Sequence, residues 1–262
     1  MHYLELVKER APLIHNITNQ VVMNVTANGL YALGASPLMA HEKEEMDDII
    51  NISDALVLNI GTITEPVFQA MQVAGRKAQE KGIPIVLDPV GVGASNYRMR
   101  VVTHLLETLK ISFIRGNAAE IMTLVSLKQA GKGVEGDIDT DVGTIARAFY
   151  RRYRIPVVVT GKEDMIYSGK TLYRLKNGSP ILKQVTGTGC LLTSVIAAFL
   201  AVADDDHYIE AAAEAVSFYT VASEVAAERS ELPGSFQMHF IDCLATLSIS
   251  EWKKQAVIEV SS

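Results

Sequence analysis

Cysteine is scarce in this chain. Of 262 residues only Cys190 and Cys243 carry thiols, too few for the disulfide framework that stabilises small secreted proteins. A reducing, cytoplasmic setting is therefore expected. Basic residues are in the minority, with 24 Lys and Arg against 30 Asp and Glu and a formal net charge of −6. The two signs are interspersed, so a nucleic acid finds no basic stripe and a membrane surface no cationic face. Long apolar runs are missing too. The most apolar one, Cys190 to Ala203, is shorter than the roughly 20 residues that span a bilayer and contains Thr193 and Ser194; it reads as a buried core helix. The amino-terminal ten residues mix acids into their apolar pattern and lack the hydrophobic middle of a signal peptide. In that setting the sequons Asn16-Ile17-Thr18 and Asn24-Val25-Thr26 read as accidental.

Several motifs are absent as well. No Gly-x-x-x-x-Gly-Lys-Ser/Thr sequence occurs, which leaves a P-loop architecture unsupported. No Cys-x-x-Cys pair and no cluster of histidines makes a case for structural zinc. Repeats, low-complexity tracts and linkers are lacking, so residues 1–262 are expected to form a single domain around one core. The composition, 48% hydrophobic and 21% charged, is that of an ordinary globular protein, and the expected partner is a small molecule.

Short β-branched runs recur along the chain at 55–59, 83–88, 111–114 and 156–160, each bounded as a buried strand would be. Segments with helical spacing, such as Pro66 to Lys81 and Tyr97 to Lys110, lie between them. This alternation predicts an α/β fold with a mostly parallel central sheet and helices on both faces. The hairpin pattern from Met165 to Leu175, with Gly169 in its turn, adds a mixed edge. Helical spacing from Asp206 to Ser230 and from Phe236 to Ser250, separated by Pro233-Gly234, closes the fold, whereas Lys128 to Asp139 reads as a mobile surface loop. Several strands run into turn residues: Asn59-Ile60-Gly61-Thr62, Asp88-Pro89-Val90-Gly91-Val92-Gly93, Arg115-Gly116-Asn117 and Thr160-Gly161. Ligands of open α/β sheets bind beyond the carboxyl ends of strands, so these turns should line one crevice.

The segment richest in chemistry is Val185-Thr186-Gly187-Thr188-Gly189-Cys190, just ahead of the apolar helix. Helix amino termini present unpaired N–H groups, and glycines let an anion approach them closely. These residues alone fit either a phosphate-binding turn or a plain strand-to-helix turn. Cys190 is either a small buried apolar residue or a functional thiol; the helix dipole and a bound cation would lower its pKa below the free-thiol value of about 8.5. Asn117-Ala118-Ala119-Glu120 can be a helix capping box, a metal-organising element, or both.

Read with its neighbours, the Gly-Thr-Gly turn resembles that of the ribokinase-like kinases, and the form Val-Thr-Gly-Thr-Gly-Cys-Leu-Leu resembles the hydroxyethylthiazole kinase family. His15 to Val22, Gly34 to Met39, Asp88 to Ala94 and Arg115 to Ile121 are similar to segments of that family in the same order, so the likeness spans nearly the whole chain. It implies a ribokinase-like three-layer fold and ATP-dependent phosphorylation of a thiazole alcohol in thiamine biosynthesis or salvage. It also implies Cys190 as the catalytic residue, and Arg115, Thr160, Gly187, Thr188 and Gly189 around ATP. Asn19, Met39 and Gly187 fall on the thiazole side, with Gly61 and Thr62 helping to enclose the substrate. Glu120 and Asp88 would organise Mg²⁺, and the chain would form a homotrimer with thiazole sites at subunit boundaries. Arg115 could otherwise be a surface charge and Met39 simple core packing. Two competing functions share these features: a nucleotide-dependent lyase acting on hydrated nicotinamide nucleotides, whose turn would carry aspartate where Cys190 stands, and a thiazole or nucleotide binder with decayed catalysis.

Overall fold

In a computed structural model, residues 2–126 and 141–261 are described; the expected loop from Lys128 to Asp139 lies outside them. Strands run over Leu13–Ile17 (β1), Ser36–Leu38 (β2), Ala55–Asn59 (β3), Ile85–Asp88 (β4), Phe113–Asn117 (β5), Val157–Thr160 (β6), Asp164–Tyr167 (β7), Leu172–Leu175 (β8) and Ile258–Ser261 (β9). Helices occupy Tyr3–Arg10 (α1), Met23–Leu33 (α2), Met46–Ile52 (α3), Glu65–Lys81 (α4), Asn96–Thr108 (α5), Ala118–Ser126 (α6), Val142–Tyr153 (α7), Thr188–Leu200 (α8), Tyr208–Arg229 (α9), Pro233–Thr246 (α10) and Ile249–Gln255 (α11).

The strands form one sheet in the order β2-β1-β3-β4-β5-β6-β7-β8-β9. β1 to β6 are parallel, and β7, β8 and β9 continue antiparallel. The expected mostly parallel sheet with a mixed edge is thus present. Alternation along β3 shows why its apolar run is continuous: Ala55 and Val57 join the core shared with α8, α9 and α10, whereas Leu56 and Leu58 join the core under α4 and α5. A strand buried on both faces reads as a continuous apolar run, broken here only at its carboxyl end by the buried, hydrogen-bonded Asn59. In α8 every residue from Leu191 to Leu200 is buried, and the helix packs over β1, β3 and β4.

The strand order places the site. After β1 the chain moves to one side to make β2, then crosses to the other side to make β3, so the carboxyl ends of β1 and β3 flank a topological switch point. Asn19 follows β1 there, and Gly61 follows β3.

Four local expectations are corrected. β5 continues through Arg115, Gly116 and Asn117, which pair with Val158, Val159 and Thr160 instead of forming a turn. Pro233-Gly234 opens α10, because proline has no N–H to lose in a first helical turn. The stretch from Phe236 to Ser250 is two helices; Ser248 caps α11, its Oγ accepting from Glu251 N (3.2 Å) while Glu251 Oε2 accepts from Ser248 N (3.0 Å). The segments of β1, β2 and β9 are strands that apolar periodicity did not mark.

Candidate active site

The amino terminus of α8 forms the floor of the site. Gly187 caps it in the left-handed region at φ +89°, where an added Cβ would lie 3.1 Å from Val22 Cγ1. The turn is anchored from below: Thr188 Oγ1 donates to the carbonyls of Leu182 (2.9 Å) and Val185 (3.1 Å), and the buried Tyr219 hydroxyl donates to Thr188 O (2.6 Å). The first N–H satisfied within the helix is that of Leu191, by Gly187 O at 2.8 Å. The N–H groups of Thr188, Gly189 and Cys190 are therefore those that a helix leaves open for an anion.

Arg115 lies against this turn. An added Cβ on Gly189 would stand 2.7 Å from Arg115 Nη1, so glycine is what lets the guanidinium approach. Arg115 Nη2 donates to Thr160 Oγ1 (2.8 Å), and its buried Nε has no partner. A cation with an unspent donor beside open helix amides is an anion-binding arrangement. Both face a cleft of about 690 Å³ whose walls include Arg115, Asn117, Thr160, Thr188, Gly189 and Tyr219.

Behind the turn lies Asp88, at the end of β4 and fully buried. Its Oδ2 accepts from Asn59 Nδ2 (2.9 Å) and Thr193 Oγ1 (2.9 Å), while Oδ1 has no partner. Burial pushes this carboxyl up to about 6, opposed by Arg115 and reinforced by Glu120. Glu120 completes the capping box at the start of α6: its Oε2 accepts from Asn117 N (2.9 Å), and Asn117 Oδ1 accepts from Glu120 N (2.9 Å). Glu120 Oε1 accepts from Gly91 N (2.9 Å), tying the turn after β4 to α6. Among the described residues no three His, Cys, Asp or Glu side chains gather as a metal cage. The unpartnered Asp88 oxygen with Glu120 beside it is instead a sparse oxygen set, which suits a cation that keeps most of its own water.

On the other side of the turn a chain of amides joins Asp88 to Cys190. Because Asn59 gives its N–H to Asp88, its Oδ1 faces the other way and accepts from Asn19 Nδ2 (3.0 Å) and Gly61 N (2.9 Å). Asn19 Nδ2 also donates to Cys190 Sγ (3.4 Å). The sulfur is thereby an acceptor, and the Asn59 side chain lies within hydrogen-bond reach of it as well. Burial pushes the Cys190 thiol up to about 11, and Asp88 adds to the effect. Against the expectation of a thiol pKa lowered by the helix dipole and a bound cation, desolvation raises it here.

Gly61 packs on Asn19, where an added Cβ would lie 2.7 Å from Nδ2, and Thr62 Oγ1 accepts from Gln20 N (3.1 Å). Met39, half-buried, follows β2 on the opposite side of β1 from Gly61; its neighbour Ala40 is held by His15 Nε2 (3.0 Å). All the residues anticipated for ATP, thiazole and metal thus stand along one edge of the sheet, with Met39 outermost.

Thr193, Asp164 and Tyr219 were not anticipated, and Asn59 only as part of the turn expected to line the crevice, without a partner or role. Asn59 and Thr193 were detectable in principle, as lone polar residues in otherwise apolar buried elements. Asp164 lines the cleft, its Oδ1 accepting from Gly161 N (3.0 Å), and burial pushes its carboxyl up to about 6. Tyr219 sits in a helix with no local pattern to distinguish it.

Helix amides opened by glycine, a half-paired arginine and a buried carboxylate at the carboxyl edge of this sheet define the class: a small-molecule kinase with the ribokinase-like fold. Within that class the chain belongs to the hydroxyethylthiazole kinase family, whose family model matches residues 4–250. It is similar to the hydroxyethylthiazole kinase protein from Pyrococcus horikoshii OT3, with 37% identity and a TM-score of 0.91 over 99% of this chain and 98% of that one. The pyridoxal kinase from Staphylococcus aureus, solved in complex with ADP, shares the fold at 17% identity and a TM-score of 0.65 over 95% of this chain and 98% of that one. An ADP/ATP-dependent NAD(P)H-hydrate dehydratase from Bacillus subtilis shares it at 14% identity and a TM-score of 0.59, over 89% and 91% of the two chains. The likeness to the dehydratase is one of fold alone.

Proposed function

We propose that this chain, acting as one kinase domain, transfers the γ-phosphate of ATP to the hydroxyl of 4-methyl-5-(2-hydroxyethyl)thiazole in thiamine biosynthesis or salvage. The products are the thiazole phosphate and ADP. The observation that carries this reading is that one turn, Gly187 to Cys190, meets Arg115 on one side and, through Cys190, the Asn19–Gly61 pair on the other. Nucleotide and alcohol would therefore meet across it. The α8 amides and Arg115 stabilise charge on the transferred group, Thr160 helps to hold the nucleotide, and Asn19, Gly61, Thr62 and Met39 enclose the thiazole. The alcohol oxygen bonds to the γ-phosphorus as the bond from that phosphorus to the ADP oxygen breaks. With its thiol protonated, Cys190 orients the alcohol through its S–H, and the alcohol proton leaves late, to the transferred phosphoryl oxygens. A loose transition state makes little demand on a base. Asp88 Oδ1, with Glu120 acting through water, would hold Mg²⁺, which when bound screens the phosphate charges.

Incubation with ATP, Mg²⁺ and hydroxyethylthiazole should yield ADP and a phosphorylated thiazole by mass spectrometry. Phosphorylation of an unrelated alcohol alone would overturn the substrate assignment and leave the kinase class standing; tight binding without product would favour the decayed binder. Cys190→Asp is expected to keep or raise kcat, since a carboxylate can accept the proton, while Cys190→Ala should retain roughly a tenth of the activity. A Cys190→Asp variant that binds both substrates normally and turns nothing over would contradict this role.

A cytoplasmic homotrimer completes the proposal. Val21, exposed two residues after Asn19, and Tyr31, exposed towards the far end of α2, are apolar residues that support a subunit boundary along that helix. Light scattering should give the mass of three chains. Among the described residues no helix is long and apolar enough to cross a membrane.

A further inference from the structure

Arg98, on α5, behaves unlike a surface arginine. It is half-buried, and among the described residues no acidic side chain pairs with it. Its guanidinium is spent on backbone carbonyls: Nη1 donates to Ile60 O (3.1 Å) and Val90 O (2.6 Å), and Nη2 to Gly61 O (2.5 Å). Ile60 and Gly61 belong to the turn after β3, Val90 to the turn after β4. Gly61 packs on Asn19, which reaches Cys190; Val90 precedes Gly91, whose N–H is held by Glu120. The Gly91 backbone takes φ +61°, and an added Cβ there would lie 3.4 Å from Arg98 Nη1.

We propose that Arg98 is a positioning residue that fastens the acceptor turn after β3 to the turn after β4, setting the distance between bound thiazole and the Asp88–Glu120 carboxylates. Three charge-assisted bonds from one planar group fix two loops in both spacing and angle, which a flexible lysine cannot do. Displacement of a site by about 1 Å can cost on the order of 10²-fold in rate.

The inference rests on the thiazole-kinase reading, so wild-type protein is run in every assay; an inactive wild type would count against that reading, not against Arg98. The test compares Arg98→Met, which keeps the apolar stem, with Arg98→Lys. Thiazole affinity is read by calorimetry without nucleotide, and the Mg²⁺ concentration for half-maximal rate is read in the kinase assay. In Arg98→Met the thiazole Kd and the Mg²⁺ requirement should each rise about tenfold, with Arg98→Lys intermediate. Values equal to wild type in Arg98→Met overturn the proposal, whatever the melting temperature, because a merely structural arginine changes the amount of folded enzyme and not its affinities. If Arg98→Met does not fold, wild-type values in Arg98→Lys overturn it equally.

Discussion

Gly189→Ala is expected to leave the protein folded and to lower kcat/KM for ATP by about two orders of magnitude. Gly189 lies in the first turn of α8, and its φ is not in the left-handed region, so alanine suits the backbone and has the better helix propensity by roughly 1 kcal/mol. The added methyl meets one obstacle: the Arg115 guanidinium, with Nη1 at 2.7 Å and Nη2 at 3.1 Å. That is the far end of a flexible side chain, and it can swing away at little cost. Moving it breaks the bond to Thr160 Oγ1 and takes a cation from the open amides of the turn. Loss of one preorganised donor at a developing charge typically costs 10²–10³ in rate. The melting temperature should stay level or rise while kcat/KM collapses. The pair Gly189→Ala with Arg115→Ala should be far from additive, because both remove one interaction. A lowered melting temperature with near-normal kcat/KM would sink the argument. Gly29 makes the contrast, since a Cβ there would sit 2.4 Å from Leu191 Cδ1 in the packed core, where substitution should cost stability first.

This difference between glycines also shows what was legible in the sequence. Gly187 to Gly189 could be read as a turn at a helix start, because the apolar run after them is long and local. Strands β3 and β4 were visible for the same reason: both faces of each are buried, and the pattern is uninterrupted. β1 was not, since His15 and Asn16 break its apolar run. Their polarity makes sense only in three dimensions, where His15 holds Ala40 O and Asn16 Oδ1 accepts from Ser194 Oγ (2.6 Å) in α8. β9 was hidden by the opposite effect: exposed throughout, it lacks a core pattern and exists through pairing with β8. Cys190 illustrates the limit most clearly. Its place at a helix start, which lowers a thiol pKa, is local; the burial and the Asp88 charge that raise it come from an element about a hundred residues away. Non-local desolvation decides the sign, and no spacing rule contains it.

Asp88→Asn should abolish most activity and yet make the protein harder to melt. In metal-free buffer the carboxylate is fully buried with one oxygen unpartnered, and burial lifts its pKa from 3.8 to about 6. A raised carboxyl pKa means that the native state disfavours the charged form. The associated stability is fully present below the unfolded value, near 4, and is lost as pH rises through about 6. At pH 8 the charge costs roughly 3 kcal/mol, and an asparagine carbonyl can still accept from Asn59 and Thr193. For a protein of this size the gain corresponds to about 5 °C or more in melting temperature. The advantage of Asp88→Asn should be widest at pH 8 and shrink towards pH 4, where wild-type Asp88 is protonated; Asp164, shared by both proteins, cancels from the difference. Activity should move the other way, falling by at least about 10²-fold, because the variant offers an N–H where a cation needs an oxygen. Added Mg²⁺ should raise the melting temperature of wild type and leave that of Asp88→Asn unchanged. A melting difference that stayed constant from pH 8 to pH 4 in metal-free buffer would show that the buried charge is not its source.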